Sequence, residues 1–214
     1  MHKLECKDVA KIKINKKEAS KDLTMKKLCR SGLAVFSKYG FDSATTKMIS
    51  QHAGINESLI TRYFNGKAGL LEAVIKEFAQ DIHNQYSTYP AGKTIEDELR
   101  SFLTATTTSL QGNVRFMKLA FSRAILDSTM QKRLNRDLKS PGDELFIKRL
   151  KDFQKQGQYP HSRSPEETLE MLKIFIRGIV FDRIALSCSS ALSVPDAIEY
   201  IVRAISADLA SAKK

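Results

Sequence analysis

The chain has 214 residues, 42% of them apolar and 28% charged, which is enough for one large core with a small satellite domain of about 50 residues and too apolar for global disorder. No apolar run approaches the roughly 18 residues that span a bilayer, and the lysine-rich start MHKLECKDVAKIKINKK has no apolar segment behind it, so neither a membrane span nor a secretory signal is expected and the cytoplasm is the expected compartment. The formal charge of +11 points to a polyanionic partner, and fourteen Lys or Arg against six Asp or Glu over residues 1–67 put +8 of it there, leaving +3 for the rest.

Apolar residues recur at helical spacing almost throughout and no alternating run stands out, so the fold class expected is all-α. Residues 1–22 read as a basic flexible arm. Leu28, Val35, Phe36 and Tyr39 share one face ahead of Gly40, which predicts a first helix over 23–39. Thr45 or Thr46 then caps a short helix carrying Met48, Ile49 and Ala53, and Gly54 ends it. Asn56 caps a second short helix over 57–64 that buries Ile60 and Phe64. Two short helices about a tight glycine turn form a helix-turn-helix, whose second helix enters the DNA major groove.

From Lys67 a longer helix presents Leu70, Leu71, Val74, Ile75, Phe78 and Ile82. Beyond Tyr89-Pro90-Ala91-Gly92, helices are predicted over 94–110, 113–126, 128–139, 142–156, 165–190 and 195–211. Ser140 and Ser164 each precede a proline suited to the first helical position, and Ser164 with Glu167 has capping-box spacing. Ser193 and Asp196 repeat that pattern more weakly. The last two helices carry broad apolar faces: Leu172, Phe175, Ile176, Ile179, Val180 and Ile184, then Ile198, Ile201, Val202, Ile205 and Leu209.

The stretch ATTKMISQHAGINESLITRYFNGKAGLLEAV resembles the signature of the TetR family of transcription regulators, and LCRSGLAVFSKYGF before it resembles that family's first helix. Over residues 23–78 the aromatic-Gly hinge, Thr-Thr, Ile49, Ala53-Gly54-Ile55, Tyr63-Phe64, Lys67 and Leu70-Leu71 all fall at family spacing. The chain departs at Thr61, where the family usually has a phosphate-binding Tyr, and at Ser58, where it usually has Gly or a small residue.

The resemblance implies a three-helix DNA-binding domain over 23–67, joined to a helical ligand-binding and dimerisation domain over 68–214. It implies that Thr46, Lys47, Glu57, Ser58, Thr61, Arg62, Tyr63 and Lys67 meet double-stranded operator DNA. Arg62 is the candidate for bidentate contact with guanine. Glu57 either accepts from cytosine N4 or simply complements the helix dipole. Tyr63 touches phosphate, packs under its helix, or does both, and Lys67 holds phosphate beside a helix N-terminus. Lys11, Lys13, Lys16, Lys17 and Lys21 are either DNA-following or merely solubilising.

The resemblance further implies a homodimer through the last two helices, with Ile176, Ile179, Val180, Ile184, Ile198, Ile201, Val202, Ile205 and Leu209 at the interface. Phe102, Phe116, Met117, Phe121, Phe146, Phe153 and Phe175 are the candidates to line a small-molecule effector pocket. The expected function is a ligand-responsive repressor on a roughly palindromic operator. A nonspecific architectural DNA binder is the alternative, and a helical enzyme is less favoured. His2, His52, His83 and His161 lack metal-ligand spacing, Cys6, Cys29 and Cys188 form no CxxC, and no GxSxG, P-loop or dinucleotide fingerprint occurs. No metal, cofactor or catalytic residue is expected.

Overall fold

The computed structural model describes residues 6–137, 140–184 and 192–212, with ten α-helices and no strand among them. They are α1 (Cys6–Tyr39), α2 (Thr46–Ala53), α3 (Ser58–Phe64), α4 (Lys67–Gln85), α5 (Ile95–Gly112), α6 (Val114–Leu126), α7 (Ser128–Asp137), α8 (Pro141–Lys155), α9 (Pro165–Ile184) and α10 (Val194–Ser211). The chain divides into two compact units between Glu77 and Phe78, inside α4. That division lies beyond the boundary expected at 67–68, because the first turns of α4 belong to the N-terminal core. A Cβ on Gly32 of α1 would lie 3.1 Å from Val74 and 3.5 Å from Leu70.

The first helix begins at Cys6, so the arm expected over 1–22 is helical from that residue, and residues 1–5 lie outside those described. The physical reason is composition: no proline or glycine occurs between Cys6 and Ser31, and Lys, Ala and Glu are good helix formers that extend an already anchored helix at little cost. Leu28, Cys29, Leu33, Val35 and Phe36 form its buried face, whereas Tyr39, expected on that face, is 47% exposed. Packed beneath lie Ile49, Ala53, Ile60, Phe64, Leu70, Leu71, Val74 and Ile75, all buried.

In the C-terminal unit α5 is the central element, packing on α6, α8, α9 and α10. Its Leu99, Phe102 and Leu103 are fully buried with Phe146 and Leu150 of α8, Leu172 of α9 and Val202 of α10. The buried carboxylate of Glu98 ties the loop after α4 to this core. It accepts from Tyr89 Oη at 2.7 Å, from the Gly92 N–H at 2.8 Å and from Arg149 at 3.2 Å. Arg149 also donates to the Tyr89 carbonyl at 3.1 Å and stacks on that ring at 4.5 Å. A buried charge with every oxygen engaged is tolerated where an unpaired one is not. Tyr89 is correspondingly held in its neutral form by burial and by the Glu98 carboxylate that its hydroxyl meets.

Caps match the sequence pattern with one exchange. Ser140 and Asp143 close a reciprocal capping box at α8. Ser164 accepts from the amides of Glu166 and Glu167, and its hydroxyl returns to the Glu166 carboxylate rather than to Glu167. Ser193 accepts from the Asp196 amide as expected. The ends predicted at 139 and 190 lie outside the described residues, as does Cys188.

Candidate nucleic-acid interface

The helix-turn-helix is built by three local devices. Thr45 in extended conformation accepts from the Met48 amide at 3.1 Å and starts α2. Gly54 ends it in the left-handed region, φ 59° and ψ 41°, which a residue with a Cβ enters at a cost, while Ile55 N–H returns to the Ser50 carbonyl at 3.0 Å. Asn56 Oδ1 then accepts from the Ser58 amide at 2.9 Å and from the Ser58 hydroxyl at 2.8 Å, starting α3. Buried Ile60 and Phe64 fasten α3 to the core and leave Glu57, Ser58, Thr61 and Arg62 exposed, with Leu59 and Tyr63 half-buried.

The expected DNA contacts fall into two groups. Lys47, Ser58, Thr61 and Arg62 are exposed, as a groove-reading surface requires. Tyr63 is flanked by two cations, the Lys21 ammonium 5.7 Å and the Arg62 guanidinium 5.9 Å from its ring centre, and meets Phe64 edge-on. It therefore packs and is half-exposed at once, and α1 brings a lysine to α3 that the sequence placed only in a basic arm.

Thr46 and Glu57 are joined instead to each other, the Thr46 hydroxyl donating to Glu57 Oε1 at 2.6 Å. Lys67 is engaged within its own domain. Its ammonium donates to the carbonyls of Phe41, Asp42 and Ala44 at 2.9, 3.2 and 2.9 Å and lies 4.6 Å from the Phe41 ring centre. Three N–H groups meet three carbonyls of the α1–α2 turn, so the ammonium fastens that turn.

The predicted interface and pocket residues are also redistributed. Ile176, Val180, Ile198, Ile201, Val202, Ile205 and Leu209 are all buried within the single chain and Ile179 is half-buried, so they close their own subunit's core; the side chain of Ile184 lies outside those described. The other face of α9 exposes Met171, Ile174, Phe175 and Phe181, and α10 exposes Tyr200.

Of the pocket candidates, Phe102 and Phe146 stack at 4.4 Å in the core, Phe116 stacks on Phe78, and Phe121 meets Phe181 edge-on. Met117 and Phe153 are buried, and Phe175 is on the exposed face of α9. None of the three described cavities is lined by any of these seven. Those of about 430 and 440 Å³ lie between α5 and α10, one along Thr94, Glu96, Gln158 and Ser206, the other along Arg100, Thr104, Thr108 and Glu199. The third, about 230 Å³, lies between α9 and α10. Aromatic rings of this size fill a helical core more effectively than they line a void. Among the described residues no group of three His, Cys, Asp or Glu is arranged to hold a metal, and no helix is long and apolar enough to cross a membrane.

Comparison with known proteins agrees with this geometry. Residues 28–74 match the family described as bacterial regulatory proteins, tetR family. A BetI HTH-type transcriptional regulator of Vibrio atlanticus is 31% identical over 67 residues, 31% of this chain and 34% of the relative. The probable HTH-type regulator YttP of Bacillus subtilis is 19% identical over 72% of this chain and 75% of its own. The chain thus spans about a third of the length of the first curated relatives it matches. A transcriptional regulator from Pseudomonas aeruginosa PAO1 shares the fold, with TM-score 0.67 over 88% of this chain and 91% of that one at 16% identity. The fatty acid degradation regulator FadR from Bacillus halodurans does so with TM-score 0.62 over 84% and 92%, also at 16% identity. Residues 28–74, which carry the helix-turn-helix, are thus similar to the tetR family of bacterial regulatory proteins, and the all-helical fold is shared with the solved regulators.

Proposed function

We propose that the protein is a sequence-specific transcription regulator that binds a roughly palindromic operator as a homodimer, acts in the cytoplasm and represses until a small effector binds its C-terminal unit. The observation that carries this reading is α3 itself. It is anchored by Ile60 and Phe64 and presents Ser58, Thr61 and Arg62 outward, next to a strongly basic N-terminal segment. Arg62 grips guanine O6 and N7, which contributes roughly 1–3 kcal/mol of discrimination per good bidentate pair. Lys21, Lys47 and Tyr63 hold phosphates and set the register.

Dimerisation through the exposed face of α9, together with Tyr200 of α10, accounts for apolar side chains that one subunit leaves in water. Twofold symmetry then presents two copies of α3 to half-sites about 34–36 Å apart. The effector's place is a cavity of the C-terminal unit, and the groove between α5 and α10 of about 440 Å³ has the size of small-molecule sites. A ligand that binds better to the dimer with wrongly spaced reading helices lowers operator affinity by that difference, with α4 as the continuous element between the units.

The test is selection of bound sites from randomised duplexes, with the mass of the complex measured on the best site. A palindromic consensus bound by two chains supports the proposal. Salt-sensitive binding with no consensus refutes it in favour of a nonspecific architectural protein.

A further inference from the structure

We infer that Glu57 selects cytosine in the operator half-site and that Thr46 is the positioning residue that aims it, an inference that rests on reading the N-terminal unit as a sequence-specific DNA binder. Glu57 stands just before α3 with helical backbone angles, φ −57° and ψ −34°, and its side chain makes no cap bond to that helix. Asn56 does the capping instead, through the Ser58 amide. The same division holds on α2. Thr45 accepts from the Met48 amide, so the hydroxyl of Thr46 has no capping duty. The two side chains left over meet each other across eleven residues at 2.6 Å. Among the described residues Glu57 forms no ion pair, and the Lys67 ammonium is engaged by the α1–α2 turn. Dipole complementation alone does not require a carboxylate fixed at one oxygen by a neighbouring helix.

The chemistry of the fixed carboxylate then names its partner. An ionised carboxylate only accepts hydrogen bonds. Phosphate oxygens and the N7 and O6 edge of guanine also only accept, so both repel it. Adenine offers its N6 donor beside the N7 acceptor, whereas cytosine offers the N4 donor with no acceptor beside it on its own major-groove edge. With Oε1 held by Thr46, Oε2 is the oxygen available to N4–H. Thr46, expected to touch DNA, acts through Glu57.

The experiment compares sites selected from randomised duplexes by the full-length wild type and by Glu57→Gln, Thr46→Val and Thr46→Ser, each titrated on the wild-type consensus and on its single-base variants. Glu57 is exposed and Thr46 half-buried, so all four proteins should melt within a few degrees of one another, which circular dichroism checks first. The wild type should prefer cytosine at one symmetric position by about tenfold, within the range of a single good base contact. Glu57→Gln should move that preference to adenine, whose N6 and N7 suit an amide. Thr46→Val should flatten it several-fold while other positions keep theirs, and Thr46→Ser should restore it. An unchanged consensus for Glu57→Gln overturns the assignment and leaves the regulator intact. A consensus changed by Glu57→Gln but not by Thr46→Val overturns the role of Thr46. Absence of any consensus for the wild type overturns the inference together with the function on which it rests.

Discussion

Replacing Lys67 with Met separates a structural lysine from a phosphate-binding one. The substitution keeps the apolar stem and removes three donors. Two of the three accepting carbonyls, those of Phe41 and Ala44, are part-buried at 2.9 Å, and the third, of Asp42, is exposed at 3.2 Å and returns to water. Charge-assisted bonds contribute about 1.5–3 kcal/mol when well buried, so about 1 kcal/mol for each half-buried one is reasonable. The ammonium over the Phe41 ring at 4.6 Å adds about 0.5–1 kcal/mol. The loss is about 2–3 kcal/mol, or roughly 10–20 °C in the melting temperature of a domain of this size. Thermal melts by circular dichroism measure the loss, and hydrogen exchange over residues 41–54 locates it. Below the melting range the slope of log affinity against log salt should be unchanged. An unaltered melt with a slope shallower by about 0.9, the signature of one lost phosphate contact, would refute the reasoning and restore Lys67 to the DNA.

Four further substitutions test the C-terminal unit. Arg149→Met leaves the fully buried Glu98 without its cation and should cost about 3–5 kcal/mol in urea unfolding; a loss below 1 kcal/mol would show that the Tyr89 and Gly92 donors suffice. Burial pushes the Tyr86 hydroxyl up from 10.0 to about 12. Because the folded-state value is the higher, its stabilisation is complete below pH 10 and is lost as pH rises toward 12, a fall of about 2–3 kcal/mol. Tyr86→Phe should flatten that alkaline decline, and an equally steep decline would contradict the assignment. Ile174→Asp on the exposed face of α9 should leave each subunit folded yet give a monomer by light scattering, whereas Ile205→Ala in the core should cost about 2–5 kcal/mol of stability. Retention of the dimer by Ile174→Asp would move the interface elsewhere.

Much of the molecule was legible where a local rule decides. Thr45, Gly54 and Asn56 mark the helix-turn-helix because capping and left-handed glycine geometry act within four residues. Ile60 and Phe64 could be assigned to the core because they stand four residues apart on one face, with the polar Ser58, Thr61 and Arg62 on others. On α9 that logic fails. Leu169, Met171, Leu172, Ile174, Phe175, Ile176, Ile179, Val180 and Phe181 encircle the helix, so periodicity cannot say which stripe the subunit keeps. Burial chose Leu169, Leu172, Ile176 and Val180 for the interior and left the stripe carrying Ile174 and Phe175 outside. The aromatic candidates for a pocket meet a related ambiguity, since size and apolarity do not distinguish filling a core from lining a cavity. Lys67 and the Thr46–Glu57 bond were out of reach because their partners lie 23–26 and 11 residues away, a separation that only the folded turn closes.

The most direct test of sequence-specific reading through α3 is titration of wild type and Arg62→Ala on the best selected duplex and on a scrambled duplex at near-physiological salt. The wild type should prefer the selected site by at least about a thousandfold, and Arg62→Ala should clearly lose that ratio with scrambled-site affinity little changed. Equal weakening on both duplexes would reduce Arg62 to a phosphate contact, and a wild-type ratio near one would contradict the central claim.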